Sequence, residues 1–110
     1  MPERAFPKHQ QYIRSKACVV PGCASRNIIC AHVRSGLPKG EQAGTGQKPH
    51  DTFTVPLCRS HHDEQHSLGE ITFQKQHKID LLKLSLLYAS GSPESKIWRK
   101  ANLIKLQMRA

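Results

Sequence analysis

Cys58-Arg59-Ser60-His61-His62-Asp63-Glu64-Gln65-His66 places one cysteine and three histidines within nine consecutive residues. Ahead of it runs Asp51-Thr52-Phe53-Thr54-Val55-Pro56-Leu57, whose β-branched and aromatic residues predict a short strand leading into a helix. In a helix over 58–67, His62 and His66 lie on one face, one turn apart. Two imidazoles at that spacing can grip one metal ion. His61 is turned by about 100° from His62. It is therefore free to serve a different site with Cys58, three residues earlier. The stretch predicts two metal sites back to back, one fastening the fold and one reactive.

Upstream, Cys18-Val19-Val20-Pro21-Gly22-Cys23 has two cysteines flanking a Pro-Gly turn, a knuckle that aims both thiolates at one ion. With Cys58 and His61 it completes a Cys3His set, the composition of a closed structural zinc site. Cys30 reads as a packing residue that could also displace one of these ligands. The plainer alternative is that the cysteines are small buried apolar residues.

The 110 residues suit one domain with a modest core that a metal would help to secure. A net charge of +9 favours a polyanionic partner, most simply nucleic acid, although charge also serves solubility. No apolar run approaches the ~20 residues that cross a bilayer. No secretory signal is visible, so a cytoplasmic, reducing setting is expected, where clustered Cys and His favour zinc over disulfides.

The chain divides into a basic N-terminal arm over 1–17, a metal-bearing core over 18–69 and a helical extension over 70–110. Pro2 and Pro7 are expected to keep the arm irregular, with Arg4, Lys8, Arg14 and Lys16 available to a phosphate backbone. Asn27 to Arg34 reads as a strand, with Ile28, Cys30 and His32 on one face and Ile29, Ala31 and Val33 on the other. Ser35 to Pro49 is a glycine-rich loop whose length favours a functional role. Arg34, Lys39 and Lys48 in and beside it are candidates for nucleic-acid binding. The second strand is expected over Thr52–Pro56. Glu70 to Ala89 reads as one helical stretch closed by Gly91, with leucines on more than one face. That pattern is compatible with burial on two sides, including in a homodimer. Ser92 and Pro93 predict the N-cap and first position of a last helix.

The order of knuckle, strand ending in His32, loop, strand and histidine-bearing helix resembles the ββα-metal motif of the HNH endonucleases. More narrowly, Ala31-His32-Val33-Arg34, Gly44-Thr45-Gly46-Gln47-Lys48-Pro49-His50-Asp51 and Val55-Pro56-Leu57-Cys58-Arg59-Ser60-His61-His62 resemble phage and prophage HNH proteins related to the RecA-dependent nuclease Ref. The resemblance covers residues 18–70. It implies an α+β, zinc-stapled ββα-metal core and a DNA endonuclease of weak sequence selectivity. His32 would be the general base, Asp51 its partner, and His62 and His66 the ligands of Mg2+ or another divalent ion. A recombinase filament is implied as a partner by resemblance alone. Two positions depart from the family pattern. Ala31 stands where many members carry an Asp or His metal ligand. Asp51 is displaced from the position where many carry Asn.

The residue chemistry suits phosphodiester hydrolysis. A neutral histidine can take a proton from water near neutral pH, and a carboxylate on its other nitrogen fixes the tautomer. The competing reading is a zinc-stabilised nucleic-acid-binding module that does not cut. A zinc peptidase is excluded, because His62-Asp63-Glu64-Gln65-His66 lacks the glutamate directly after the first histidine.

Overall fold

The computed structural model describes residues 3–108; residues 1, 2, 109 and 110, including Pro2 of the expected arm, lie outside that description. The class is α+β, with two strands and five helices among the described residues. Helix α1 (Pro7–Arg14) precedes strands β1 (Ile28–His32) and β2 (Thr54–Cys58); α2 (Arg59–Leu68), α3 (Glu70–His77), α4 (Leu81–Ser90) and α5 (Ser95–Met108) follow.

The strands pair antiparallel, with Ile28 opposite Cys58 and His32 opposite Thr54. All five residues of β2 are buried, whereas β1 is half-buried apart from Ala31. The second strand therefore starts and ends two residues later than the sequence suggests, with Pro56 inside it opposite Cys30. Pro56 is tolerated because its backbone faces away from β1: its carbonyl accepts the Val19 amide at 2.8 Å. That bond fastens the knuckle to the free edge of β2.

The N-terminal stretch is a helix rather than an irregular arm. Pro7 sits in its first turn, where its fixed φ and missing N–H cost nothing. The helix buries His9 and Ile13 against the sheet. The expected single helix over 70–89 is broken in two. Lys78 adopts a left-handed conformation (φ 56°), and Asp80 caps α4 by accepting the Lys83 amide at 3.0 Å. Gly69, at φ 83°, likewise separates α2 from α3.

Gly91 ends α4 as expected, and a side chain there would collide with the Tyr12 hydroxyl, which donates to the Tyr88 carbonyl at 3.0 Å. The last helix begins at Ser95, not at Pro93. Ser92 instead spends its hydroxyl on the Glu94 amide and on His9. Helix α4 packs on β2 and α5 packs on α4. No helix among the described residues is long and apolar enough to cross a membrane.

Candidate metal centres and the histidine–aspartate pair

Cys18, Cys23, Cys58 and His61 converge, with their ligand atoms all within 4.8 Å of one another. The knuckle supplies two thiols, the end of β2 supplies Cys58, and the first turn of α2 supplies His61. Around a tetrahedral zinc, two sulfurs stand about 3.8 Å apart and a sulfur and a nitrogen about 3.5 Å. Cys23 and Cys58 Sγ are 3.8 Å apart, and His61 Nδ1 lies 3.5 Å from Cys18 Sγ and 3.2 Å from Cys58 Sγ. The set therefore fits a metal ion in both donor type and spacing.

Cys58 also caps α2, its sulfur accepting the His61 amide at 3.4 Å. Burial pushes its thiol up, but that amide and the neighbouring Cys23, Cys18 and Ser25 outweigh burial and hold it below the ordinary value. Burial pushes Cys18 up to about 11. Binding an ion must therefore release protons from this cluster. Cys30 stands apart from the set, its thiol pushed up to about 11 by burial.

On the adjacent face of α2, His62 Nε2 and His66 Nε2 are 3.2 Å apart, with their rings nearly perpendicular. Two nitrogens bound to one ion at about 2.0–2.1 Å, at angles between 90° and tetrahedral, stand roughly 2.9–3.4 Å apart. The pair fits one ion, and His66 is exposed, so water can reach it. Burial and the neighbouring His66 lower the His62 pKa, keeping the ring in the neutral form that binds metal. Among the described residues no third Cys, His, Asp or Glu joins this pair within ligand distance.

His32, at the end of β1, bonds through Nε2 to Asp51 Oδ1 at 2.8 Å. The second carboxylate oxygen accepts the Phe6 amide and the Gln10 side-chain amide, each at 2.8 Å. Burial pushes the Asp51 carboxyl up, but hydrogen bonds from His32, Phe6 and Gln10 more than offset it and hold the pKa below its usual value. An ionised Asp51 requires N–H at His32 Nε2 and leaves the lone pair on Nδ1. The Asp51 side chain is 3 % exposed and that of His32 14 %, so the carboxylate is sealed while the ring reaches the surface.

Glu70 joins the two regions. Its carboxylate accepts the amides of Arg34 at 2.9 Å and Ser35 at 3.0 Å. The exit of the strand bearing His32 is thereby tied to the residues that follow the His66 turn.

The candidate cations separate. Lys48 shares a groove with His32, whereas Lys39 lies in another groove with Glu41 and Lys100. The Arg34 guanidinium donates to the Gln47 carbonyl at 2.6 Å, bracing the glycine-rich loop. Sequence reasoning did not find Gln10, whose contact with Asp51 spans 41 positions. Nor did it find Glu64 and His77, which bond to each other beside His61 and form a further potential ligand group with it.

The sequence profile of a family described as "Protein of unknown function (DUF968)" matches residues 3–89, from α1 through most of α4. The "Uncharacterized protein YdfU" of Escherichia coli (strain K12) is 58% identical over 74 residues, which cover 67% of this chain and 19% of that protein. The chain thus spans about a fifth of the length of that relative. No solved structure matches it. Because the profile covers well over half the chain, including both candidate metal-ligand groups and the His32–Asp51 pair, this protein belongs to the DUF968 family.

Proposed function

We propose that this protein is a metal-dependent DNA endonuclease with a ββα-metal centre, in which His32 is the general base. The observation that carries the reading is the His32–Asp51 pair. A carboxylate saturated by two further donors fixes the ring through Nε2–H and leaves the lone pair on Nδ1 of a side chain that is 14 % exposed. That is the orientation a general base needs.

In this reading His32 Nδ1 removes a proton from the attacking water, and Asp51 stabilises the imidazolium that results. His62 and His66 would hold Mg2+ or a similar divalent ion, which would supply positive charge to the phosphorane-like transition state and the departing 3′ oxygen. Two neutral histidines leave that charge undiminished. General-base action is worth about 10²–10⁴-fold, so the ion and positioning must supply most of the acceleration. Zinc is the ion proposed for the Cys3His set, given three thiols and one imidazole in tetrahedral spacing.

The absence of a third ligand beside His62 and His66 among the described residues, with Ala31 at the neighbouring strand position, favours the second reading, a zinc-stabilised nucleic-acid-binding module that does not cut. The two are separated by incubating zinc-loaded protein and its His32→Ala variant with supercoiled plasmid, with Mg2+, with Mn2+ or with no added divalent ion. Nicking that needs the added ion and disappears in the variant establishes the nuclease. Salt-sensitive plasmid binding by both proteins without nicking establishes the module.

A further inference from the structure

Two shallow grooves meet along β1. One, of about 250 Å³, is lined by Gln10, Arg14, Ile28, Cys30, His32 and Lys48 among others. The other, of about 330 Å³, includes Arg14, Lys16, Arg26 and Ile28, with the Cys23 end of the knuckle as a wall. Arg14 and Ile28 belong to both, so they form one channel between α1 and β1, running from His32 to the knuckle. Four cations line it and no carboxylate does. Three other grooves on the molecule each contain an acid, Asp80 in two of them and Glu41 in the third. The overall excess of positive charge is thus not spread evenly over the concave surfaces. Arg14, Arg26 and Lys48 are exposed, and none forms an ion pair among the described residues.

We infer that this channel is the track for the sugar–phosphate backbone of one nucleic-acid strand, with Lys48, Arg14, Lys16 and Arg26 each neutralising a phosphate and His32 at one end facing the bond to be cut. The inference deepens the nuclease reading and rests on it for the role of His32 alone; binding along the track stands independently. Length supports one strand. From Ile28 to His32 the channel follows β1 for about 13 Å. Successive phosphates of one strand stand roughly 6–7 Å apart along the backbone, about twice the ~3.4 Å axial rise, so about two to three of them lie along β1 itself. Arg26 and the groove toward the knuckle continue the track beyond it. Contacts of this kind position the backbone without reading bases, in keeping with weak sequence selectivity. The knuckle wall also gives the structural ion a second consequence, because it shapes the far end of the track.

The test is the salt dependence of binding, measured by fluorescence anisotropy with mixed-sequence labelled oligonucleotides, single-stranded and duplex, and zinc-loaded protein without added magnesium or manganese. A gel confirms that the probe stays intact. Each phosphate contact contributes about 0.7 to 0.9 to the slope of log affinity against log salt. Arg14→Gln/Arg26→Gln should flatten that slope by about one and a half. Lys78→Gln/Lys83→Gln, which removes the same charge from the groove beside α4, should leave it nearly unchanged. Thermal unfolding confirms that both variants are folded, as expected for exposed side chains. Equal flattening by the two variants, or none by the first, overturns the track. If the track is confirmed and plasmid nicking is never seen, the nuclease reading fails alone.

Discussion

Lowering the pH should destabilise this protein through a residue remote from the metal ligands. His9 is fully buried on α1, with Nδ1 2.8 Å from Ser92 Oγ and Nε2 3.2 Å from Thr54 Oγ1. The Thr54 hydroxyl donates to the Asp51 carbonyl. It can therefore only accept from His9, which puts the ring proton on Nε2. Nδ1 then accepts from Ser92, whose oxygen takes the Glu94 amide. The neutral tautomer satisfies every group, and a second proton would set two donors against each other. Burial accordingly lowers the His9 pKa from 6.5 to about 4.

The unfolded chain binds a proton at His9 near pH 6.5 and the folded chain does not until about pH 4. Between those values unfolding takes up a proton, so stability falls with falling pH by about 1.4 kcal/mol per unit. The full contribution is present above pH 6.5; about 3 kcal/mol of it is lost by pH 4. Carboxylates and the metal ligands titrate over part of the same range, so the informative quantity is a difference. Urea unfolding of wild type and His9→Gln, each zinc-loaded, between pH 7.5 and 4.5, should show the stability gap between them shrinking by about 2–3 kcal/mol as pH falls. Glutamine can keep a donor and an acceptor in the site and does not titrate. A gap that stays constant across this range would refute both the buried neutral tautomer and the argument drawn from it.

Cys23→Ser should lose stoichiometric zinc and with it cooperative unfolding, because one thiolate of a closed four-ligand set is missing; metal analysis and a denaturation curve decide it, and a zinc-loaded, cooperative variant would remove Cys23 from the site. His62→Ala should abolish metal-dependent nicking while changing stability by less than about 1 kcal/mol, since it deletes a half-buried ring whose Nδ1 has no hydrogen-bond partner. An unfolded His62→Ala protein would mean that this histidine, and not His61, secures the fold. Phe73→Ala should cost about 3–5 kcal/mol in urea unfolding, as the ring is fully buried and meets His61 edge-on; a cost below about 1 kcal/mol would show that α3 does not brace the metal-bearing helix.

The sequence by itself disclosed the Cys18, Cys23, Cys58 and His61 cluster that could hold a metal ion. Candidate ligands such as Cys18 and Cys23, or Cys58 and His61, sit close along the backbone, and local turn and helix geometry is enough to aim them. The strand-to-helix reading of 51–68 needed only side-chain alternation and helical spacing. Register was less legible: β2 runs through Pro56 because the Pro56 carbonyl accepts the Val19 amide on the free edge of the strand, which no local pattern reveals. The N-terminal stretch was misread as irregular because Pro7, taken alone, marks a break; packed against the sheet, the same proline opens a helix. The break at Lys78–Asp80 was hidden by apolar residues on both sides of it, Ile71 and Phe73 in α3 and the leucines of α4. What only the tertiary structure decided is the setting of His32 and Asp51. Phe6 and Gln10 reach Asp51 from more than 40 positions away and hold it ionised. The same fold brings Arg14 of α1 alongside Ile28 of β1 to make one channel. Such contacts depend on how α1 lies across the sheet, and burial, not spacing along the chain, sets their energy.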